Sequence, residues 1–368
     1  MIARRQPDYR FMVVFAILIL LGFVMLSSAS AVIGFDRFGD SYYFLKRQLI
    51  AGGLGLIIFL ILLRLDYRLL KPLALPIFVV SLVLLLLIYV PGIGQSYGTF
   101  AKRWVRFGLI NFQPSEFVKL TLLIYLSAWL ANRGKIINNF MLTFLPFAAM
   151  VTAVVGLIIF QPDIGTAFIV STIALGVYYV AGGKLFHLSL LMAVGLMAFF
   201  VLINFSAHAS DRLKIFLHPE LDPQGIGYHI NQAYLAIGSG GLWGRGFGQS
   251  RAKFQYLPEV YGDSIFAVIA EEFGFIVVTI FLLLLLYLLY RGLSIARAAP
   301  DDFGRFLGGG IILWFVGQSL VNISAMVGLL PLTGIPLPFI SYGSSAMVSS
   351  MAALGILANI SIFRRKNL

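Results

Sequence analysis

The sequence predicts an all-α, polytopic membrane protein of ten transmembrane helices, with one long extracytoplasmic loop, about residues 206–262, between spans 7 and 8. Three observations predict it. Hydrophobic residues make up 60% of the 368 and charged residues only 11%, a balance unlike that of soluble globular domains. Apolar stretches near the roughly 20 residues needed to cross a bilayer recur along the chain. The remaining charges sit mostly between those stretches. Nearly all the length is used in spanning, so the chain reads as a single transmembrane domain, 1–368.

Span 1, 11–35, follows Arg4, Arg5 and Arg10 and carries Ser28-Ala29-Ser30-Ala31. It looks like a signal peptide, but its apolar stretch exceeds the roughly 7–15 residues of a signal core, so it reads as a retained helix. Spans 2 and 3, 45–63 and 69–90, flank a short basic turn. Span 4, 114–131, begins Gln113-Pro114-Ser115-Glu116, ordinary helix-start chemistry. Glu116 and Lys119 are three apart and can pair on one face. Spans 5 and 6, 140–160 and 164–181, are joined by Gln161-Pro162-Asp163, and span 7 covers 185–205. Spans 8, 9 and 10 cover 264–290, 306–328 and 338–363. Two prolines and small hydroxyl residues in Pro336-Leu337-Pro338-Phe339-Ile340-Ser341-Tyr342 suggest a broken or re-entrant helix, or else a packing kink. No period of 20–50 residues recurs, which weakens a transporter built from inverted repeats.

Ten spans put both termini on one side. With the N-terminus inside, 15 of the 27 Lys and Arg lie inside and 12 outside. Nine of those 12 fall between Lys102 and Lys119 or between Arg212 and Lys253, and without these two clusters the count is 15 to 3. Long loops carry little weight in the positive-inside rule, so both termini are assigned to the cytoplasm. The net charge of +12 then reflects membrane orientation and anionic headgroups rather than nucleic acid. There are no cysteines, which excludes thiol catalysis and thiolate metal sites.

Asp263 is the most informative single residue. It ends the long loop directly before span 8, where a charge must meet water, a partner or a substrate, or merely cap the helix. Glu271 and Glu272 lie deeper in the same span and should face a cavity or a cation. Lys102, Arg103 and Arg106 on the outer side oppose the positive-inside bias and suit an anionic ligand such as a pyrophosphate. The glycine-rich stretch 238–251 lacks both the dinucleotide fingerprint and a P-loop ending, so it reads as a flexible or tightly packed loop. His187, His208, His218 and His229 have no metal-ligand spacing and are read as non-ligands.

Together these segments resemble the SEDS family (shape, elongation, division and sporulation) along essentially the whole chain. The resemblance is carried by Gln113-Pro114-Ser115-Glu116 with Lys119, Gln161-Pro162-Asp163-Ile164-Gly165-Thr166, Ala236-Ile237-Gly238-Ser239-Gly240-Gly241-Leu242, Tyr256-Leu257-Pro258-Glu259 with Asp263, and Leu337-Pro338-Phe339-Ile340-Ser341-Tyr342-Gly343. Gly244-Arg245-Gly246-Phe247-Gly248-Gln249-Ser250 with Lys253 is more similar to division-type members (FtsW) and SpoVE than to RodA. The chain departs from the usual pattern at Tyr261-Gly262-Asp263-Ser264, where members usually have His-Thr-Asp-Phe. It also departs at Gly343-Ser344-Ser345-Ala346 and at Asn111.

The resemblance implies a peptidoglycan glycosyltransferase that polymerises lipid II at the outer face of the bacterial cytoplasmic membrane. It implies work with a class B penicillin-binding protein and other divisome or elongasome membrane proteins. Asp263 is the expected general base, taking the proton of the acceptor's 4-hydroxyl. Arg103, Arg106, Glu116, Lys119, Glu259, Gln232 and Ser341 are the expected substrate-binding residues. Arg103 and Lys119 would stabilise the leaving pyrophosphate, with Arg106 or a divalent cation (Mg or Mn) as a further candidate, and Glu116 would orient Lys119. The competing expectations are a lipid II flippase, which Asp163, Glu271 and Glu272 could suit, and a non-catalytic scaffold that activates its penicillin-binding partner.

Overall fold

The structure is a computed structural model that describes residues 6–96, 102–107, 110–205, 207–218, 221–222, 225–254 and 256–363. The elements in chain order are α1 (Tyr9–Ala29), α2 (Ala31–Phe38), α3 (Tyr43–Arg64), α4 (Leu70–Leu86), β1 (Gly94–Gln95), β2 (Trp104–Phe107), β3 (Ile110–Phe112), α5 (Pro114–Ala131), α6 (Leu145–Ile159) and α7 (Ile164–Val180). There follow α8 (Leu185–Phe205), α9 (Ala207–Leu217), α10 (Ile226–Ser239), α11 (Ile265–Arg297), α12 (Asp302–Met326) and α13 (Ser344–Ile362). Each predicted apolar stretch contains one of these helices. Among the described residues, seven helices are long and apolar enough to cross a membrane: α1, α3, Tyr67–Tyr89 around α4, Phe140–Ile159 around α6, α11, α12 and α13.

The fold differs from expectation in four places. It is not purely helical: β1, β2 and β3 form a small antiparallel sheet just before α5. Alternation explains it, since Val105 is buried while Arg106 beside it is exposed, and Val105 opposes Phe112 across the sheet. The long loop contains two helices, α9 and α10. Span 8 is broken at Gly274, whose φ of 72° and ψ of −175° only glycine adopts readily. The last span begins at Ser344 rather than 338, because 336–343 is non-helical. That segment dips into the bundle, where the Phe339 ring meets Phe15 of α1 at 5.7 Å. Gly22 of α1 lies against the Phe339 backbone so closely that a Cβ would collide with it.

At the centre stands α12, packed on α5, α7, α11 and α13, and α13 lies along α3. Gly355 of α13 sits on the backbone of Phe59, and Gly55 of α3 on Met351, the close approach that small residues permit between membrane helices. Ile50 and Ile57 of α3 and Val80 of α4 point outward as apolar surface.

Polar contacts mark one end of the bundle. Asp8 caps α1 by accepting from the Phe11 N–H, pairs with Arg291 at 2.6 Å, and its N–H donates to Ser361 Oγ at 3.0 Å. The Tyr67 hydroxyl donates to Asp301, and Arg68 pairs with Asp301 at 3.2 Å. Residues 8 and 361 therefore share one end with the turns after α3 and α11. The sheet, the turn at 160–163, α10 and the 329–343 segment gather at the other.

Candidate functional site

Asp263 sits where the loop enters α11, partly exposed, with its main chain held rigidly. Asn322 of α12 donates from Nδ2 to the carbonyl oxygens of Asp263 and Ile335, both at 2.8 Å. Ser341 Oγ donates to the Gly262 carbonyl at 2.6 Å and accepts from the Leu337 N–H at 2.8 Å. The Tyr342 N–H donates to the Tyr261 carbonyl at 2.8 Å. Gln48 of α3 closes the arrangement, donating to the Ser341 carbonyl at 3.2 Å and accepting from the Gly343 N–H at 3.1 Å. Non-helical backbone at this depth is stable because protein groups satisfy it.

One turn earlier on α12, Gln318 joins the same segment to α5. Its Nε2 donates to the Pro336 carbonyl at 2.8 Å, and its Oε1 accepts from Lys119 Nζ at 3.1 Å and Trp314 Nε1 at 2.8 Å. Lys119 pairs with Glu116 at 2.8 Å, as the spacing predicts, and both are almost wholly buried. Gln318 and Asn322 are four residues apart, about 6 Å along one helix face. The α5 ion pair and the Asp263 backbone are thus tied to two neighbouring rungs of α12. Lys119 is internally neutralised and acts from within the wall.

The outer cations lie elsewhere. Arg103 pairs with Asp163 at 3.7 Å and donates to the Pro162 carbonyl, fastening the sheet to the turn before α7. Its Nε is buried without a hydrogen-bond partner. Near the start of α5, Asn111 Oδ1, Ser115 Oγ and Glu116 Oε2 are buried and likewise unpartnered. Such atoms are rare in proteins and point to a polar ligand or water. Arg106 and Lys102 are exposed.

Glu259 adopts a left-handed backbone, φ 49°, two residues before Tyr261. Its side chain reaches solvent, yet protein packed around the carboxyl raises its pKa, and the Asp263 charge adds to the rise, while Arg37 and His229 oppose it. The same crowding, reinforced by Glu259, pushes Tyr261 up to about 12. Asp263, Glu259, Arg37 and His229 are therefore electrostatic neighbours. Gln232 is half-buried on α10, three residues beyond His229.

The acidic pair deeper in α11 has another task. Glu271 accepts from Ser250 Oγ at 2.6 Å and from the N–H groups of Arg251 and Ala252. Glu272 pairs with Lys253 at 3.2 Å and accepts from Ser28 Oγ of α1 at 2.7 Å. The break at Gly274 frees backbone groups that the glycine-rich loop satisfies: Arg245 and Gly246 donate to Glu271 and Glu272, and Phe275 donates to Gly241. The loop's backbone is fastened to α11 although most of its side chains from 241 to 249 are exposed, and Glu271 and Glu272, two of the three carboxylates a flippase could use, are engaged in holding it.

Sequence reasoning missed Gln318, Asn322, Gln48, Ser264 and His229. Gln318 and Asn322, four apart in an apolar span, were detectable as polar residues at membrane depth. His229 carried no such signal, because its partner Ser264 lies 35 residues away.

Comparisons with known proteins agree with this fold. A family model described as "Cell cycle protein", that of FtsW, RodA and SpoVE, matches residues 9–366. Stage V sporulation protein E of Bacillus subtilis is 38% identical over 362 residues, covering 98% of this chain and 99% of the relative. A probable peptidoglycan glycosyltransferase FtsW of Trichlorobacter lovleyi is 40% identical over 340 residues, covering 92% and 89%. Among solved structures, a peptidoglycan synthase complex that coordinates polymerization and crosslinking contains a chain similar at TM-score 0.79 and 30% identity, covering 98% and 99%. The rod shape determining protein RodA of Thermus thermophilus matches at TM-score 0.71 and 30% identity, with 98% of each chain covered.

Proposed function

The chain belongs to the FtsW/RodA/SpoVE family of cell cycle proteins, and from that premise we propose how its residues carry out peptidoglycan glycosyl transfer. It is a peptidoglycan glycosyltransferase. Lipid II is the substrate, polymerised at the outer face of the cytoplasmic membrane, with ten spans, both termini cytoplasmic and the 206–262 loop outside. The observation that carries the site reading is the pair of rungs on α12. Asn322 ties down the Asp263 backbone, while Gln318 ties down the α5 ion pair through the same 335–341 segment.

Linking C1 of an α-linked lipid pyrophosphate to a 4-hydroxyl with inversion needs a base on the hydroxyl and positive charge on the leaving group. Asp263 takes the hydroxyl proton. Arg103, with its unpartnered Nε, and the exposed Arg106 bind the pyrophosphate as its negative charge grows. Lys119, neutralised by Glu116, sets the position of Gln318 and the backbone above it. Glu259, Gln232 and Ser341 line or support the acceptor side. Among the described residues no three His, Asp or Glu side chains converge as a metal cage. A divalent cation, magnesium or manganese, would therefore be held mainly by the pyrophosphate, and no step is assigned to it; chelation with EDTA tests the requirement.

The crosslinking partner we propose is a class B penicillin-binding protein, supported by the likeness to a chain of a complex that couples polymerization to crosslinking. The test of the function is lipid II polymerisation by purified protein in detergent. Asp263→Asn keeps size and capping ability but removes the base, so its glycan products should fall by at least about 100-fold. Polymerisation by Asp263→Asn at the wild-type rate would sink the base assignment. Absence of glycan from wild-type protein in detergent, alongside lipid II translocation in liposomes, would favour a flippase.

A further inference from the structure

His229 stands on α10, half-buried, and Ser264 is fully buried at the junction of loop and α11. His229 Nε2 lies 2.6 Å from Ser264 Oγ, and Ser264 Oγ lies 3.5 Å from Asp263 Oδ1. A hydroxyl has one proton to give and lone pairs to receive another, so it can pass a proton on without changing its own charge. Catalytic hydrogen bonds in ligand-free sites are often long and tighten when substrate binds. We propose that His229, acting through Ser264, is the outlet for the proton that Asp263 collects. The proposal rests on the reading of Asp263 as the base.

The step balances. The acceptor O4–C1 bond forms as the C1–O bond to the pyrophosphate breaks, and the hydroxyl proton moves to Asp263. Asp263 then gives a proton to Ser264 Oγ while the proton of Ser264 moves to Nε2 of neutral His229. The resulting imidazolium, half-exposed, loses a proton to water, and Asp263 is again a carboxylate. Without an outlet, Asp263 must exchange its proton directly with solvent while the site holds product. Imidazole suits the task because it changes charge near neutral pH.

The charges around His229 are mixed. Glu259 from the loop is its electrostatic neighbour and is itself flanked by Asp263 and by Arg37 of α2. Asp211 and Lys214 of α9, which packs on α10, line a depression with Asp222 and Ile226. Glu271 and Glu272 of α11 are engaged with the 245–253 loop, and on α12 the residue at this end is the neutral Asn322.

The test is lipid II polymerisation by full-length protein between pH 5 and 9, for wild type, His229→Gln, Ser264→Ala, Ser264→Thr and the His229→Gln/Ser264→Ala double variant. The relay works only with neutral His229, so wild-type kcat should fall on the acid side as the imidazole gains a proton. His229→Gln and Ser264→Ala should each lower kcat by about tenfold or more with KM for lipid II nearly unchanged, and remove that limb. The double variant should be no worse than either single one, because both cut one path. Ser264→Thr, which keeps the hydroxyl, should restore both rate and profile. A wild-type rate and acid limb in His229→Gln would overturn the relay, as would a change confined to thermal stability. Loss of activity in Asp263→Asn with His229→Gln unchanged defeats the relay alone; full activity in Asp263→Asn defeats the base assignment itself.

Discussion

At the residue scale, the site separates charges that reach solvent from charges sealed in the wall. Arg106 is exposed on the sheet, so truncation to Ala should remove one charge-assisted contact worth about 1.5–3 kcal/mol and raise KM for lipid II roughly 10- to 100-fold, measured by steady-state polymerisation. Glu259 offers a second check, through pH. Its pKa is raised in the folded protein, so folding favours the protonated form. That contribution is full below the ordinary carboxylate pKa and is lost as pH rises through the raised value. Glu259→Gln should therefore match wild type in thermal unfolding at low pH and exceed it above that window. Equal behaviour across the range would show that the carboxyl is not under strain.

At the element scale, the break in α11 makes Asp263 a fixed point. The short helix 265–273 is held at its start by Asn322 and at its end by the glycine-rich loop. Gly274→Ala would place a Cβ against the Gly244 N–H and the Leu242 carbonyl in a backbone conformation that alanine avoids. Lys253→Met should be severe as well, because it leaves Glu272 buried without its cation, at a cost of about 3–5 kcal/mol. Adding Glu272→Gln should recover part of the loss in a thermal-unfolding assay. No recovery would mean that Lys253 acts through packing alone. The sequence showed the two glutamates as costly at depth and in need of a cavity or a cation. It could not show that the cation comes from a loop about 20 residues earlier, because that pairing depends on how the turns between 251 and 264 lay the loop back along α11.

At the scale of the whole molecule, the bundle has a pinned end and an open one. Asp8, Arg291, Asp301 and Tyr67 fasten the first, while α10 and the 329–343 segment meet the Asp263 junction at the second. The chain has no cysteine, so single cysteines report sidedness against a clean background. In intact cells, Arg251→Cys should react with an impermeant maleimide, while Lys135→Cys should react only after permeabilisation. The reverse pattern would invert the proposed topology.

By itself the sequence determined the membrane class, the positions of the apolar helices, the family and the placing of Asp263 at the entry to α11, because these rest on local composition, periodicity and contiguous motifs. It also contained the Glu116–Lys119 pair, which needs only helical spacing. Tertiary structure alone decided that Lys119 lies inside the wall against Gln318, that Gln318 and Asn322 join α5 to the Asp263 backbone, and that His229 meets Ser264. It also decided that residues 336–343 run as a satisfied, non-helical segment with a turn at 338–340 rather than as the start of a helix. The physical reason is common to all four: each depends on side chains and backbone groups far apart in the chain that share one buried polar seam. No local pattern encodes which distant partner will satisfy a group once water is excluded.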